Sequence, residues 1–427
     1  MFQGPPHEKK ELTWSFFIGW SLLIFAVIPF APPLIRWVSQ YLPLRMLVFG
    51  TMGVILAASV IAVVYLAWIA PRRRHANLLW MFGILLVYAY FCFFEVKADQ
   101  EALHFLEYGF LGLLAFRALS HNVRDITIYV SAIAMVTVVA SLDEVFQWAT
   151  PGRYFDLHDV KFDAVSAFLA QVAIAKGMRP PFVSEPIKPR SVRVLCGLVV
   201  AQLLILAFCV WNTPTRVVRY AGAIPFLSFL QYDDNAMSEF GHRHTDRNVG
   251  VFYSRFTLDE LAHLDGQRGE EVGRLIAANY KDSTNYAAFL QLRTAGTDPY
   301  LHEAAGHIAQ RDHYSRTAWK YEKDPKRYRN HNTIAHGENL ILEKYFPHVI
   351  EASGLRVFKK QVDVWKRNLN TEHAYSSRID DQLIVRFRES ELGSLLLAAI
   401  LFVLFIRWRW GREREDVERG GAGVRGA

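Results

Sequence analysis

The chain has 427 residues, 52% of them hydrophobic and 14% aromatic, and carries a net charge of +7. The apolar residues form long continuous blocks, and the lysines and arginines gather in short loops and at block ends, so the positive charge reads as membrane topology and argues against a nucleic-acid partner. The three cysteines, Cys92, Cys196 and Cys209, each lie inside an apolar block, which excludes a disulfide framework or a thiolate metal site.

A helix needs about 20 mostly apolar residues to cross the hydrocarbon core. In chain order that window marks spans at 14–35, 46–70, 77–95, 102–119, 126–149, 160–176, 193–211 and 391–408. The first follows a polar leader containing Lys9 and Lys10, with no small-residue cleavage pattern after it, and reads as a retained anchor. The fourth and sixth are short and carry polar residues at one end.

Positive charge orients the spans. Lys9 and Lys10, then Arg72, Arg73 and Arg74, then Arg117 and Arg124, then Lys176, Arg179, Lys188, Arg190 and Arg193, then the arginines from Arg407 onward all fall on one side. The opposite loops hold only Arg36, Arg45, Lys97, Arg153 and Lys161. The expectation is a multi-pass protein of the cytoplasmic membrane with both termini cytoplasmic. Its parts are an N-terminal transmembrane hairpin over 1–75, a bundle over 76–211, an extracytoplasmic domain over 212–390, and a last helix with a cytoplasmic tail over 391–427.

The 212–390 stretch reads as mainly α-helical. "TLDE" at Thr257 to Glu260 fits a capping box, "PYLHEAAGHIAQRDHY" and "NTIAHGENLILEKYF" show helical apolar spacing, and "VGVFYSRF" reads as a short strand. Gly420 to Ala427 reads as a disordered tail. The fold class is thus an all-α integral membrane protein of about eight transmembrane helices, with a mainly helical soluble domain inserted before the last.

Polar residues concentrate at the outer ends of the fourth, fifth and sixth spans. Glu101, His104, Glu107 and Tyr108 recur at three- and four-residue steps in "EALHFLEYGFLGLL". Asp143, Glu144 and Gln147 close the fifth span; "TPGRYFDLHDV" follows with Arg153, and Asp159 and Asp163 open the sixth. An ionisable side chain at mid-membrane costs roughly 2.5–3.5 kcal/mol on insertion scales. Several at one level call for partners, a cation or an aqueous cavity; singly, each could instead be a solvated helix cap in the headgroup zone.

"HFLEYGFLGLLAFRAL" followed by "DEVFQWATPGRYFDLHDVKFDAVSAFLA" resembles the VanZ-like family of small integral membrane proteins, through the His-x-x-Glu-Tyr, Asp-Glu-x-x-Gln and Arg-x-x-Asp-x-x-Asp elements and their order, over about residues 77–176. The family takes its name from a protein associated with low-level teicoplanin resistance, and its members lack a settled biochemical activity. Asp163 departs from the pattern, where asparagine is expected. The resemblance implies a bacterial cell-envelope protein, and the chemistry of the polar cluster points to a membrane lipid or lipid-linked saccharide as its partner.

The residues assigned to the site are His104, Glu107, Tyr108, Glu144, Gln147, Arg153, Asp159 and Asp163, with Asp143 in a secondary role. Their chemistry suits a phospholipid or polyprenyl-linked saccharide headgroup. Glu144, Asp159 and Asp163 would hold a divalent cation through oxygen, Arg153 would bind a phosphate oxygen, and His104 would act as general acid or base. A non-catalytic lipid or glycan receptor, or a transporter, is the alternative.

A second candidate lies in "HEAAGH". Zincins use H-E-x-x-H, whereas His302 and His307 stand five apart, about 140° around an ideal helix. The segment resembles the H-E-x-x-G-H variant of the dipeptidyl-peptidase III family, which implies His302 and His307 as zinc ligands, Glu303 as base, and Glu338 or Glu343 as third ligand. That family's second motif is not reproduced. The plainer expectation is a histidine-bearing helix that packs or binds a partner.

Overall fold

The computed structural model describes residues 9–69, 74–96, 99–231, 235–280, 294–370 and 374–422. Arg72, Arg73, Lys97 and residues 423–427 of the glycine-rich tail lie outside the described residues, while Gly420 and its neighbours to Ala422 continue the last helix instead of forming a loose tail. The chain divides into two compact units, Met1–Phe208 with Leu395–Ala427, and Cys209–Ser394.

The first unit is built from α1 (Lys10–Val27), α2 (Ala31–Tyr41), α3 (Arg45–Ile69), α4 (Arg74–Tyr90), α5 (Ala102–Leu119), α6 (Thr127–Trp148), α7 (Leu157–Val172) and most of α8 (Pro189–Trp211). Among the described residues seven helical segments are long and apolar enough to cross a membrane, Lys10–Tyr41 counting as one and Glu389–Trp410 as the last. The sixth expected span is α7, which falls short: Asp159, Lys161 and Asp163 interrupt its apolar run, and it has 16 residues before a six-residue π-helical turn, Ala173–Met178. The two together still reach about 30 Å at 1.5 Å per residue.

Burial separates inner from outer helices. More than half of α5 and of α6 is buried, against about a tenth of α8 and none of the last helix. A helix apolar on every side and exposed within the protein presents those side chains to lipid. α5 is central, packing on α1, α3, α6 and α7. It approaches α7 through small residues: Gly112 faces Ala167 and Ala170, and a Cβ at Gly109 would come within 3.2 Å of Ser166 Oγ and of the Tyr88 hydroxyl. Polar atoms in this packing are paired across helices. Ser166 Oγ donates to the Phe105 carbonyl at 2.8 Å, Tyr88 Oη to the Ser166 carbonyl at 3.0 Å, and Gln171 Nε2 to the Gly112 carbonyl at 2.8 Å. At the other end of the bundle Arg190 donates to Asn122 Oδ1 at 3.1 Å and the Lys188 N–H to Asp125 Oδ2 at 3.3 Å, joining the α5–α6 loop to the start of α8.

The second unit holds α9 (Pro214–Ala221), a hairpin of β1 (His242–Asp246) and β2 (Gly250–Ser254), α10 (Leu258–Asn279), α11 (Pro299–Thr317), α12 (Pro325–Tyr345), α13 (Pro347–Ser353), α14 (Lys359–Arg367) and the start of α15 (Glu389–Ala422). The strands pair antiparallel with His244 opposite Phe252. Thr257 and Glu260 form the capping box expected of "TLDE", so α10 begins where two orphan N–H groups are satisfied reciprocally. Phe252, Leu261, Ile276, Tyr300, Ile308, Ile341 and Phe346 form the core between the hairpin and the helices. Gly250, at φ 107°, lets the chain turn against the Tyr375 carbonyl, which a Cβ there would meet at 2.2 Å.

Candidate functional site

α5, α6 and α7 bring the predicted polar residues of the first unit together. His104 and Tyr108, one turn apart on α5, stack with ring centroids 6.0 Å apart and planes 7° from parallel. His104 Nδ1 lies 3.0 Å from Asp163 Oδ1 on α7, so the second turn of α7 fixes the imidazole from the side. His104 also lies within electrostatic reach of Asp159 and Glu107, and of Asp143 and Glu144 on α6.

Gln147 connects the acids of α6 to the following loop. Its Nε2 donates to Glu144 Oε1 at 2.6 Å and to Asp143 Oδ2 at 3.1 Å, which turns its Oε1 toward the Arg153 guanidinium that donates to it. Glu144 Oε2 accepts the Asp156 N–H at 2.8 Å, and Asp156 in turn caps α7 by accepting the His158 N–H at 2.7 Å. The loop is therefore strapped to α6 and α7 at both ends, a rigid support for the charges on it.

Three buried oxygens in this group lack a hydrogen-bond partner among the described residues: Tyr108 Oη, Asp143 Oδ1 and Asp163 Oδ2. The Tyr108 hydroxyl and the Asp143 carboxyl are close enough to interact, but the two orphan oxygens do not meet full hydrogen-bond geometry. Buried polar oxygens are normally satisfied, so the orphans mark a place where something polar is accommodated.

The group opens into a cavity of about 1340 Å³. Its polar mouth is lined by Glu101, His104, Glu107, Asp143, Gln147, Arg153, Asp156 and Asp159, and its wall by apolar residues of α1 and α3, among them Phe16, Trp20, Leu23, Ile24, Ile55 and Ala58. Trp20 is fixed there by its indole N–H, which donates to the Glu107 carbonyl at 3.2 Å. Glu144, Tyr108 and Asp163 stand behind the lining residues and are fully buried.

Of the expected cation ligands, Asp159 alone belongs to a compact group of metal-binding types. Its partners are Glu101 and His158, with ligand atoms all within 4.8 Å of one another, and not Glu144 and Asp163. The oxygens of Glu144 are occupied by Asp156 and Gln147, and one of Asp163 by His104. Glu101 was noted in the polar cluster of the fourth span but not assigned to the site, and Asp156 and His158 escaped the sequence reading. The N-cap pattern of "FDLHD" is the signal that carries Asp156 and His158 into the site.

In the second unit α11 is regular from Pro299 to Thr317, so the five-residue step between His302 and His307 is not shortened by a distortion. Among the described residues the grouping of three metal-binding types lies at Glu101, His158 and Asp159 and not here. Glu303, His307 and Glu338 are instead fully buried. His307 Nδ1 lies 2.5 Å from Glu338 Oε2, and Glu338 Oε1 accepts from Ser377 Oγ at 2.7 Å, from Gln310 Nε2 at 3.3 Å and from the Tyr375 hydroxyl. Tyr375 reaches it because Gly337 leaves room for the ring, which a Cβ would strike at 2.2 Å. Glu343 accepts from Asn339 at 2.9 Å. Glu303 faces Arg255, whose guanidinium binds Glu239 and Asp380 at 2.6 Å each.

Burial and then the Asp380 charge push the Glu303 carboxyl up to about 7, against lowering by His307, Ser254 and Arg255. Burial lowers the His307 imidazole, but Glu338, by charge and hydrogen bond, and Glu303 and Asp380 outweigh it and leave it raised. The arrangement is a closed ionic network, with Glu303 Oε1 and His307 Nε2 unpartnered among the described residues.

No curated protein and no solved structure matches the chain. Residues 17–176, from α1 to the π-helical turn after α7 and so taking in the apolar wall as well as the polar mouth, match the family model described as VanZ/LLP1, and this segment of the chain is VanZ-like.

Proposed function

We propose that the VanZ-like unit of this multi-pass membrane protein recognises or modifies the headgroup of a lipid-linked cell-envelope component, a phospholipid or polyprenyl-linked saccharide, at the outer face of the cytoplasmic membrane. The observation that carries this reading is the junction of a buried acidic, imidazole-bearing mouth with a long apolar wall in one cavity. A soluble substrate has no use for that wall, and a structural ion-pair cluster has no use for the opening. His104, held by Asp163, is the proton carrier within reach of the mouth, and Arg153 is the donor for an anionic oxygen. A divalent cation at this site fits Glu101, His158 and Asp159 better than Glu144 and Asp163, whose oxygens already have donors. The distribution of arginine supports cytoplasmic termini and an extracytoplasmic 212–390 stretch.

Receptor or transport activity without chemistry is the second reading. It is favoured by the cavity lining, which continues past the mouth to Arg117 and Met178, at the opposite ends of α5 and of the π-helical turn. Mass spectrometry of envelope lipids from cells with and without the protein separates the two. A covalent modification that disappears with the protein and with Glu144→Gln or Asp159→Asn supports chemistry, and an unchanged inventory supports binding or passage. If cellular function survives both substitutions at normal protein levels, the headgroup site is wrong. The link to glycopeptides is tested by teicoplanin susceptibility of the same strains, which the reading expects to change on deletion.

A further inference from the structure

The charges around the mouth are unequal. Glu101, Glu107, Asp143, Asp156 and Asp159 line it, against one guanidinium, Arg153, and one imidazole, His104. The imidazole faces Asp163 at 3.0 Å and the guanidinium donates to Gln147. Asp143, only 3% exposed, keeps Oδ1 unpartnered among the described residues while lining the cavity. An excess of buried carboxylate with an unused acceptor is completed by a cation that donates hydrogen bonds. An anionic headgroup alone would meet acceptors where it needs donors.

The cavity is also too large and too apolar for a small polar ligand. At about 1340 Å³ it exceeds the roughly 300–1,000 Å³ usual for drug-sized ligands. Its lining follows α5 from Leu103 to Arg117, about 21 Å at 1.5 Å per residue, most of the roughly 30 Å depth of a hydrocarbon core. A hydrocarbon chain of membrane length fits that wall.

We infer that the cavity binds a membrane lipid whose headgroup carries a primary ammonium beside a phosphate, with the ammonium donating to Asp143 within the field of the other lining acids, Glu107 among them, the phosphate against Arg153, and the hydrocarbon chains along α1 and α3. Three N–H donors on one compact cation match several inward carboxylates, and a single guanidinium suits a single phosphodiester. The inference rests on the headgroup reading above and narrows it to one charge class.

Native mass spectrometry of the full chain, reconstituted with equal amounts of phosphatidylethanolamine, phosphatidylcholine and phosphatidylglycerol, tests it. Phosphatidylethanolamine is expected to be retained at least about tenfold over each of the others, the worth of one charge-assisted hydrogen bond. Asp143→Asn and Glu107→Gln should each bring its retention toward that of phosphatidylcholine, which has the charge but no N–H to donate. Preferential retention of phosphatidylglycerol by the unmodified chain, with or without magnesium, would overturn the ammonium assignment and leave the headgroup reading standing. Retention of none of the three would overturn both. The preference is measured on the unmodified chain, so it holds even if a variant fails to fold.

Discussion

Asp163 accepts from His104 while fully buried, and it stands where the family resemblance leads one to expect asparagine. An amide oxygen can take the same imidazole N–H, whereas an alkyl side chain cannot. Asp163→Asn should therefore fold with a loss well under that of Asp163→Ala, for which about 3–5 kcal/mol is expected from stranding a buried partner. Thermal melting of the full chain in detergent distinguishes them; equal losses would mean that the contact is not the one fixing His104. In the second unit, His307 and Glu338 form a fully buried pair, and Glu338→Gln or His307→Ala should likewise cost about 3–5 kcal/mol.

The Glu303–His307 network contributes a pH dependence of definite sign, opposite to that of His244, His331 and His336, whose imidazoles burial lowers. An acid whose folded value is raised keeps a proton that the unfolded chain has released, so Glu303 makes stability fall as pH rises from 4.5 to about 7. An imidazole raised above 6.5 contributes stability that is complete below that value and lost as pH climbs through the folded one, so His307 acts in the same direction. The urea midpoint of the second unit in the full chain, read by pulse proteolysis, should fall more, or rise less, between pH 5.5 and pH 8 in the unmodified chain than in Glu303→Gln. An equal change in the two chains would show that Glu303 is not buried as described.

At the scale of elements, the contact of α5 with α7 sets the distance between His104 and Asp163. Gly109 has the tighter approach, with a Cβ 3.2 Å from Ser166 Oγ, while a Cβ at Gly112 would reach no nearer than 3.4 Å. Gly112→Ala should be tolerated, and Gly109→Leu should cost about 1–3 kcal/mol by forcing α7 outward. Lipid retention should fall in the second variant and not in the first. The four-residue steps of His104 and Tyr108 on α5 and of Asp159 and Asp163 on α7 made this meeting of helices legible in the sequence, because such steps put polar groups on one face of a helix. The apolar wall was not legible: Trp20 or Ile55 reads the same whether it faces lipid or a cavity. The shortness of α7 was legible in part: the sixth window is short with polar residues at one end, yet it was still counted as a span although Asp159, Lys161 and Asp163 interrupt its apolar run. The i,i+5 step of His302 and His307 argued against an ordinary zinc pair, but nothing local in "HEAAGH" shows that Glu303 meets Arg255, 48 residues earlier.

For the whole molecule, the strong signals were the long apolar blocks and the clustering of arginine, which gave a multi-pass membrane protein with a mostly helical chain. The proposed orientation places Tyr154 outside and Ile187 inside, and both are well exposed. In a cysteine-free background Tyr154→Cys should react with a membrane-impermeant thiol reagent added to intact spheroplasts and Ile187→Cys should not; the reverse labelling would invert the topology. The central claim is that side chains from α5, α6 and α7 form one lipid-facing pocket, and a side-chain-resolution cryo-EM map of the full chain in lipid nanodiscs tests it most directly. The account predicts His104 in hydrogen-bond contact with Asp163, Gln147 between Asp143, Glu144 and Arg153, and elongated lipid density along α1 and α3 with its head among the acids. Separated side chains, or a cavity filled by protein with no such density, would contradict it.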